Sequence, residues 1–264
     1  MRRSVPVLAL AMVLSLCATV SAEVFTLAAE VTDGNPDAPA QRSLLDLVQA
    51  GGPVGYAIIL LSLCGLALVV DSYLRLKDEK LVPQNLAQQV HELTTKGRFE
   101  EVLSLCKTHD SMLARVIAGG LSDGKLGIDA VREGLEQQGV MEVTRLRERI
   151  GYIGLIASVA PMLGLLGTVT GMIASFRLLG EAQGAARPDE LALGISQALV
   201  TTCMGLVVAV PLMFFYAFFR NRITRIGNEA AAVGEKMLRI MSVVLETRRQ
   251  NMQQAANPVT GVKS

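Results

Sequence analysis

The chain has 264 residues, a net charge of +1 and 51% hydrophobic residues, and its mean hydropathy is +0.41. With only 19% charged residues and a balanced charge, it suggests neither nucleic-acid binding nor an acidic substrate. The four cysteines fall in separate segments without disulfide or metal-ligand spacing, so we expect no disulfide framework, no metal site and no cofactor; they are Cys17, Cys64, Cys106 and Cys203.

The N-terminus has the layout of a secretory signal peptide over residues 1–22. Arg2 and Arg3 precede an apolar run, and Val20-Ser21-Ala22 offers small residues for cleavage. A lipoprotein site at Cys17 is disfavoured because bulky Leu16 precedes it. The sequence leaves open whether the peptide is cleaved. Residues 23–52, rich in Pro, Ala and Asp, are then predicted to form an external, periplasmic segment.

Three further segments can cross a membrane as helices: residues 53–73, 150–179 and 191–219. The last two would be roughly 45 Å long, which exceeds the ~30 Å hydrocarbon layer. We therefore expect them to tilt or to project from the membrane.

Basic residues predict the orientation of these spans. Arginines and lysines follow the first span, precede the second and follow the third: Arg75, Lys77, Lys80, Arg145, Arg147, Arg149, Arg220, Arg222 and Arg225. The positive-inside rule then places the N-terminus in the periplasm, residues 74–149 in the cytoplasm, residues 180–190 in a periplasmic hairpin and residues 220–264 in a cytoplasmic tail. The arginines before the second span could also bind anionic lipid, but the topology signal is the favoured interpretation.

The segment 74–149 is predicted to be a helical domain, because its apolar residues recur at steps of three and four. A similar stripe continues the third span inward, from Ile223 through Ile226, Ala230, Val233, Met237 and Ile240 to Val244. That stripe needs a partner helix, and this requirement favours oligomerisation.

The second span contains no Asp, Glu, Lys, Arg or His between Ile150 and Ser175, and one of its faces carries only small and hydroxyl residues. That face consists of Gly154, Ala157, Pro161, Gly164, Thr168, Gly171 and Ser175. The third span has a matching face of Gly194, Ala198, Thr202, Gly205 and Ala209, with Gln197 and Thr201 beside it. Small residues permit close helix packing. The polar ones either line a path for ions or hydrogen-bond a neighbouring helix.

No catalytic constellation is present, and an enzyme is the class that the sequence favours least. The glycines between Gly164 and Gly171 superficially resemble a phosphate loop, but they lack its Lys and its preceding strand. Neither long span has a titratable side chain at mid-membrane depth. If the assembly conducts protons, the essential carboxylate must come from a second polypeptide.

The chain resembles the MotA/TolQ/ExbB proton channel family, and most closely ExbB and TolQ. The motif from Ala160-Pro161 through Gly164, Gly167 and Thr168 to Gly171 is similar to the second-span signature of that family. The motif from Gly194 through Gln197, Thr202 and Gly205 to Pro211 is similar to its third-span signature. A three-span topology agrees with ExbB and TolQ rather than with four-span MotA.

The resemblance implies an all-α inner-membrane protein that assembles as a homo-oligomer, a pentamer in this family. It implies a single-span ExbD- or TolR-like partner with a membrane Asp, and a periplasm-spanning TonB- or TolA-like protein that receives the work. Thr168 and Thr202 correspond to the pore threonines that face the partner's Asp. One residue departs from the pattern, because ExbB and TolQ usually carry Glu where this chain has Gln197.

We therefore expect a proton pathway at Thr168, Thr202, Gln197 and Thr201. The positions expected to pack helices or line the lumen are Pro161, Gly164, Gly167, Gly171, Ser175, Ala198, Gly205, Ala209 and Pro211. The expected function is to energise outer-membrane import. The alternatives are envelope maintenance, another motor output such as motility or secretion, and a scaffold that conducts nothing.

Overall fold

The computed structural model describes residues 52–76, 81–122, 127–181 and 188–256. The predicted signal peptide and most of the predicted segment 23–52 lie outside these ranges. The described residues form six main helices: α1 Gly52–Arg75, α2 Gln84–Thr95, α3 Phe99–Thr108, α4 Met112–Ser122, α5 Ile128–Glu181 and α6 Pro188–Ala256.

Three of these helices are long and apolar enough to cross a membrane, over Pro53–Arg75, Ile128–Glu181 and Gly194–Gln253. The prediction of an all-α fold with three long apolar helices is therefore confirmed for the part of the chain that the structure describes. Segments 150–179 and 191–219 lie within α5 and α6, which continue well beyond them as unbroken helices. The pentamer stays a prediction.

Pro161 lies inside α5 and Pro211 inside α6. An interior proline removes one backbone hydrogen bond of a helix. Membrane helices tolerate this because local adjustments and neighbouring helices satisfy the freed carbonyl. Both helices continue past their prolines, so neither residue ends a span.

The chain divides into two compact units. The first, here called the membrane unit, holds the described residues up to Asp71 together with Ile150–Phe218. Its interior is lined by small side chains such as Ala157, Ala160 and Ala198, all at most 3% exposed, whereas Met162 and Val210 are each 67% exposed. Larger side chains such as Ile153 are buried in this unit too, but a water-soluble protein rarely exposes so many large apolar ones together. Such a surface is typical of helices that pack on each other through small residues and present large ones to lipid.

The second unit holds the described residues of Ser72–Arg149 and Phe219–Ser264. Its core is apolar, and helix α4 is its most buried element. Leu113, Ala114 and Ile117 of α4 are fully buried. The other helices contribute Leu86, Val90, Val102, Val131, Phe219, Ile223 and Ile226.

The structure corrects one argument from the sequence. The apolar stripe that continues the third span does not need another copy of the chain, because Ile223, Ile226, Ala230 and Met237 are at most 2% exposed within the second unit. Gly227 and Gly234 of α6 approach side chains of α5, and a small cavity of about 170 Å³ separates α6 from α2 around Val90 and Met237. Other helices of the same unit thus bury four of the seven stripe residues, and Val233, Ile240 and Val244 are half-buried. The stripe by itself therefore does not require oligomerisation.

Local sequence signals set the ends of the short helices. Gly97 follows α2 with φ +70°, and the amide of Arg98 donates to the carbonyl of Leu93 at 3.0 Å, as in a glycine-terminated helix. Ser111 precedes α4, and its hydroxyl accepts the amide of Ala114 at 3.2 Å, which makes it an N-cap. In α3, burial raises the pKa of the Cys106 thiol to about 11, so this cysteine is a core residue rather than a reactive one.

One buried ion pair ties α4 to α5. The Arg115 guanidinium donates to both carboxylate oxygens of Glu142, at 2.9 and 2.8 Å, and to Asp110 at 2.6 Å. The Glu142 side chain is only 6% exposed. The hydrogen bonds and charge of Glu142, with those of Asp110, raise the pKa of the Arg115 guanidinium above its usual value, so the guanidinium stays charged throughout the physiological range.

We expect Glu142→Ala to lower the free energy of unfolding by about 2 kcal/mol, because it leaves Arg115 partly buried without its main partner. The matched control is Glu235→Ala, which breaks the exposed pair of Glu235 with Arg239 and should cost less than about 0.5 kcal/mol. Thermal unfolding followed by circular dichroism at the helix band measures both. Equal losses of unfolding free energy in the two variants would contradict the stabilising role of the pair formed by Arg115 and Glu142.

Candidate functional site: the seam between the long helices

Helices α5 and α6 approach each other closely along a seam in the membrane unit, at glycine and alanine positions. A Cβ atom on Gly205 would lie 2.6 Å from the carbonyl oxygen of Ala160, and one on Gly164 would lie 2.9 Å from the Cα of Thr202. One on Gly171 would lie 2.7 Å from the Cβ of Ala198. Contacts this short with backbone leave no room for a larger side chain.

Two threonine hydroxyls of α6 approach the backbone of α5 at Gly164. Thr202 Oγ1 donates to the carbonyl oxygen of Gly164 at 2.9 Å. Thr201 Oγ1 donates to Ala198 at 2.7 Å and lies 3.4 Å from the same Gly164 oxygen. Thr201 is 3% exposed, and a Cβ on Gly167 would overlap its side chain. Among the predicted pathway residues, Thr201 is therefore the one that is enclosed between the two helices.

Thr168 lies one helical turn beyond Gly164, at the edge of the seam, where it is half-buried. Its hydroxyl donates to the carbonyl of Leu165 at 2.7 Å. Ser175, two turns further, is 3% exposed and donates to Gly171 at 3.0 Å. It faces Gly194, where any side chain would overlap its hydroxyl. The hydroxyls of this face thus bond to backbone carbonyls, which satisfies them in an apolar environment.

Gln197 is not part of this cluster. It precedes Thr202 by five residues, which places it about 140° around the helix, and it is exposed. The structure therefore gathers Thr201 and Thr202 around Gly164, with Thr168 on the adjacent turn, and leaves Gln197 on a separate face. Ala209 is 6% exposed, whereas Pro161 and Pro211 are half-buried. The proton-pathway roles of these residues stay predictions.

The sequence did not reveal that α1 joins this packing. A Cβ on Gly65 of α1 would lie 2.8 Å from a methyl group of Leu212 and 3.5 Å from one of Ile156. Gly65 is buried, so the first span meets α5 and α6 at a small residue as well. In the sequence, Gly65 is the one sign of this contact. No other glycine lies three or four residues away from it, so the sequence of the first span does not mark it as a packing position.

Gly205→Ala should lower the thermal stability of the detergent-solubilised protein by about 1–3 kcal/mol, because its new methyl group meets backbone. Gly205→Leu should prevent normal assembly, as measured by light scattering after size exclusion. The matched control is Gly151→Ala on α5, where a Cβ meets nothing within 4 Å, and it should leave stability unchanged or slightly raised. A Gly205→Leu protein that assembles like the wild type would contradict the close packing of α5 and α6 at this position.

Comparison with known proteins agrees with this arrangement of helices and motifs. Residues 108–232 match the MotA/TolQ/ExbB proton channel family. An ExbB homolog named for biopolymer transport in Methanothermobacter thermautotrophicus is 32% identical over 69% of this chain, and the match spans 64% of that relative, just under two thirds of its length. An ExbB-like protein of Synechocystis is 30% identical over 65% of this chain and 82% of its own length.

The biopolymer transport protein ExbB of Salmonella typhimurium is 27% identical over 66% of this chain and 79% of its own length. The matched family segment contains the whole of the second and third predicted spans, and hence the seam. The chain is therefore a membrane protein that belongs to the MotA/TolQ/ExbB proton channel family.

Proposed function

We propose that this chain is a subunit of an inner-membrane, proton-driven motor of the ExbB/TolQ type, with its N-terminus in the periplasm and its C-terminus in the cytoplasm. It is not an enzyme in this proposal. Several copies, a pentamer by analogy with the family, surround the single span of an ExbD- or TolR-like partner. The motor energises a TonB- or TolA-like protein that spans the periplasm, and its output is import across the outer membrane.

The proposal rests on one observation, namely the hydrogen bonds that the hydroxyl groups of Thr168 and Thr202 donate. A hydroxyl has one proton to donate and two lone pairs that accept. Thr168 donates its proton to Leu165, and Thr202 donates to Gly164. Both hydroxyls therefore offer only acceptor lone pairs to a group that approaches from outside the seam.

Such acceptors suit a protonated carboxylic acid or a water molecule, which donate a hydrogen bond, better than they suit a carboxylate, which only accepts. Segments 150–175 and 191–219 contain no Asp, Glu, Lys, Arg or His. In the proposed mechanism the partner's Asp supplies the titrating group. It is neutral while it faces Thr168 and Thr202, and it releases its proton where water can solvate the charge.

The Gln197 amide fits this scheme without titrating. It both donates and accepts hydrogen bonds, so it can hold water or the partner's carboxyl group. The proposal therefore does not require the Glu that ExbB and TolQ usually carry at this position.

Thr202→Val tests the proposal in liposomes that contain the chain together with a candidate single-span partner. Valine keeps the shape but removes the hydroxyl, so we expect proton flux to fall roughly tenfold, the effect of losing about one hydrogen bond along the path. The partner's Asp→Asn variant should abolish flux. Ser104→Ala is the control, because this exposed hydroxyl lies on α3 of the second unit and donates to Glu101.

Flux that persists at the wild-type level in Thr202→Val would contradict the role of this hydroxyl. A correctly assembled complex that conducts nothing would favour the second candidate, a membrane scaffold without ion coupling. The presence of Gln197 in place of Glu is the observation that keeps this candidate open. Envelope maintenance, motility or secretion would be distinguished by the periplasmic protein that co-purifies with the complex.

A further inference from the structure

Six arginines flank the apolar segments of α5 and α6. Arg145, Arg147 and Arg149 immediately precede the second predicted span, and Arg220, Arg222 and Arg225 immediately follow the third. Within 145–149 and 220–225 the only acidic residue is Glu148. From the sequence alone, these arginines are interpreted as a signal for membrane topology. The structure shows in addition how they are arranged in space.

The structure brings the two triplets to one level within the second unit. Arg147 donates to the Thr224 hydroxyl at 3.3 Å across the pair of helices. Thr224 lies one turn beyond Arg220 on the same face of α6. Two groups of arginines that are more than 70 residues apart in the chain thereby form one arginine cluster, defined by 145, 147, 149, 220, 222 and 225.

Most arginines of the cluster are exposed, and three of them form no ion pair with a described residue. Arg145, Arg147, Arg149 and Arg220 are exposed, and no ion pair joins Arg145, Arg149 or Arg220 to any described residue. Arg225 is 4.0 Å from Glu229. Elsewhere, Arg115 and Arg239 each pair with an acid at 2.9 Å or less. The charges of Arg145, Arg149 and Arg220 are therefore available to an external anion.

The position of the cluster identifies that anion. All six arginines lie within seven residues of Ile150 or Phe218 along continuous helices, which is at most about 10 Å of helix. This is comparable with the polar headgroup layer, about 5–8 Å on each side of the hydrocarbon. Arg145 and Arg149 are four residues apart and share one face of α5. Arg147 lies about 200° from each of them, on the side that meets Thr224 of α6. A layer of lipid headgroups can meet both faces.

We propose that the arginine cluster binds the phosphate groups of anionic phospholipids, with Arg147 and Arg220 at the centre of the site. Guanidinium groups form paired, charge-assisted hydrogen bonds with phosphate. The proposal rests on the membrane insertion and orientation of α5 and α6 given above, but not on proton conduction. Bound lipid would hold α5 and α6 together at the level of Arg147 and Thr224.

The test uses the full-length protein in neutral detergent, titrated separately with dioleoyl phosphatidylglycerol and dioleoyl phosphatidylcholine. Native mass spectrometry counts the bound lipids, and the thermal midpoint gives the half-saturating concentration. We expect phosphatidylglycerol to half-saturate at a concentration at least about fivefold lower than phosphatidylcholine. Arg147→Gln with Arg220→Gln should raise that concentration on the order of 20-fold, at about fivefold per arginine.

The matched control is Arg132→Gln with Arg249→Gln, which removes exposed arginines of the same two helices outside the cluster and should change nothing. Arg145→Gln with Arg149→Gln is a second test pair, used if the first elutes abnormally on size exclusion. Equal binding of the two lipids, or equal effects of cluster and control variants, would overturn the proposal. So would displacement of the lipid by equimolar inorganic phosphate, which would identify a site for soluble phosphate. Absence of proton flux with normal lipid binding would contradict the proposed motor function and leave the lipid site supported.

Discussion

The backbone contact between α5 and α6 at Gly164 and Gly205 is the constraint on which the membrane unit depends. With a carbonyl oxygen of one helix 2.6 Å from where a side chain of the other would begin, the two helices have one register and no freedom to slide. Inside a bilayer the hydrophobic effect does not drive helices together, because the lipid tails are as apolar as leucine. Close packing of this kind drives their association instead. The hydrogen bond from Thr202 to Gly164 then fixes the register, since a shift of one residue would leave a hydroxyl and a carbonyl mismatched in an apolar layer.

The same constraint explains the distribution of residue sizes. Because glycine, alanine and threonine occupy the seam, the large side chains of α5 and α6 point away from it; Met162, Leu165 and Val210 are each more than 60% exposed. The membrane unit therefore presents a bulky apolar surface to lipid or to other subunits. The core of the second unit contains large apolar residues such as Phe219 and Ile223, which are fully buried.

The extent to which the sequence predicted these features depended on their distance along the chain. The small-residue stripes of α5 and α6 were predictable because helical periodicity is local, and Gly164, Gly171 and Gly205 do lie at close contacts. The pairing of Thr202 with Gly164 and of Arg115 with Glu142 joins residues 38 and 27 positions apart, which no local pattern encodes. The apolar stripe from Ile223 to Val244 was recognised correctly as a face that needs covering. Its cover was misassigned to other copies of the chain because amphipathicity specifies a partner's chemistry and not its identity.

The filled seam also constrains where an ion could pass. Thr201 is enclosed, Gly167 contacts it directly, and Ser175 seals the next turns against Gly194, so the space between α5 and α6 of one chain has no room for water. In the proposed function, a proton path would therefore run along an outer edge of the helix pair, where Thr168 and Thr202 are half-buried. An edge encloses a path only when something lies against it. The rigid seam would then serve as the wall of a channel whose other side is formed by further copies or by the partner's span, and its hydroxyls would accept hydrogen bonds without moving. A wall that does not reorganise as a proton arrives costs little at each step, so in the proposed function the close packing of α5 and α6 would serve conduction as well as stability.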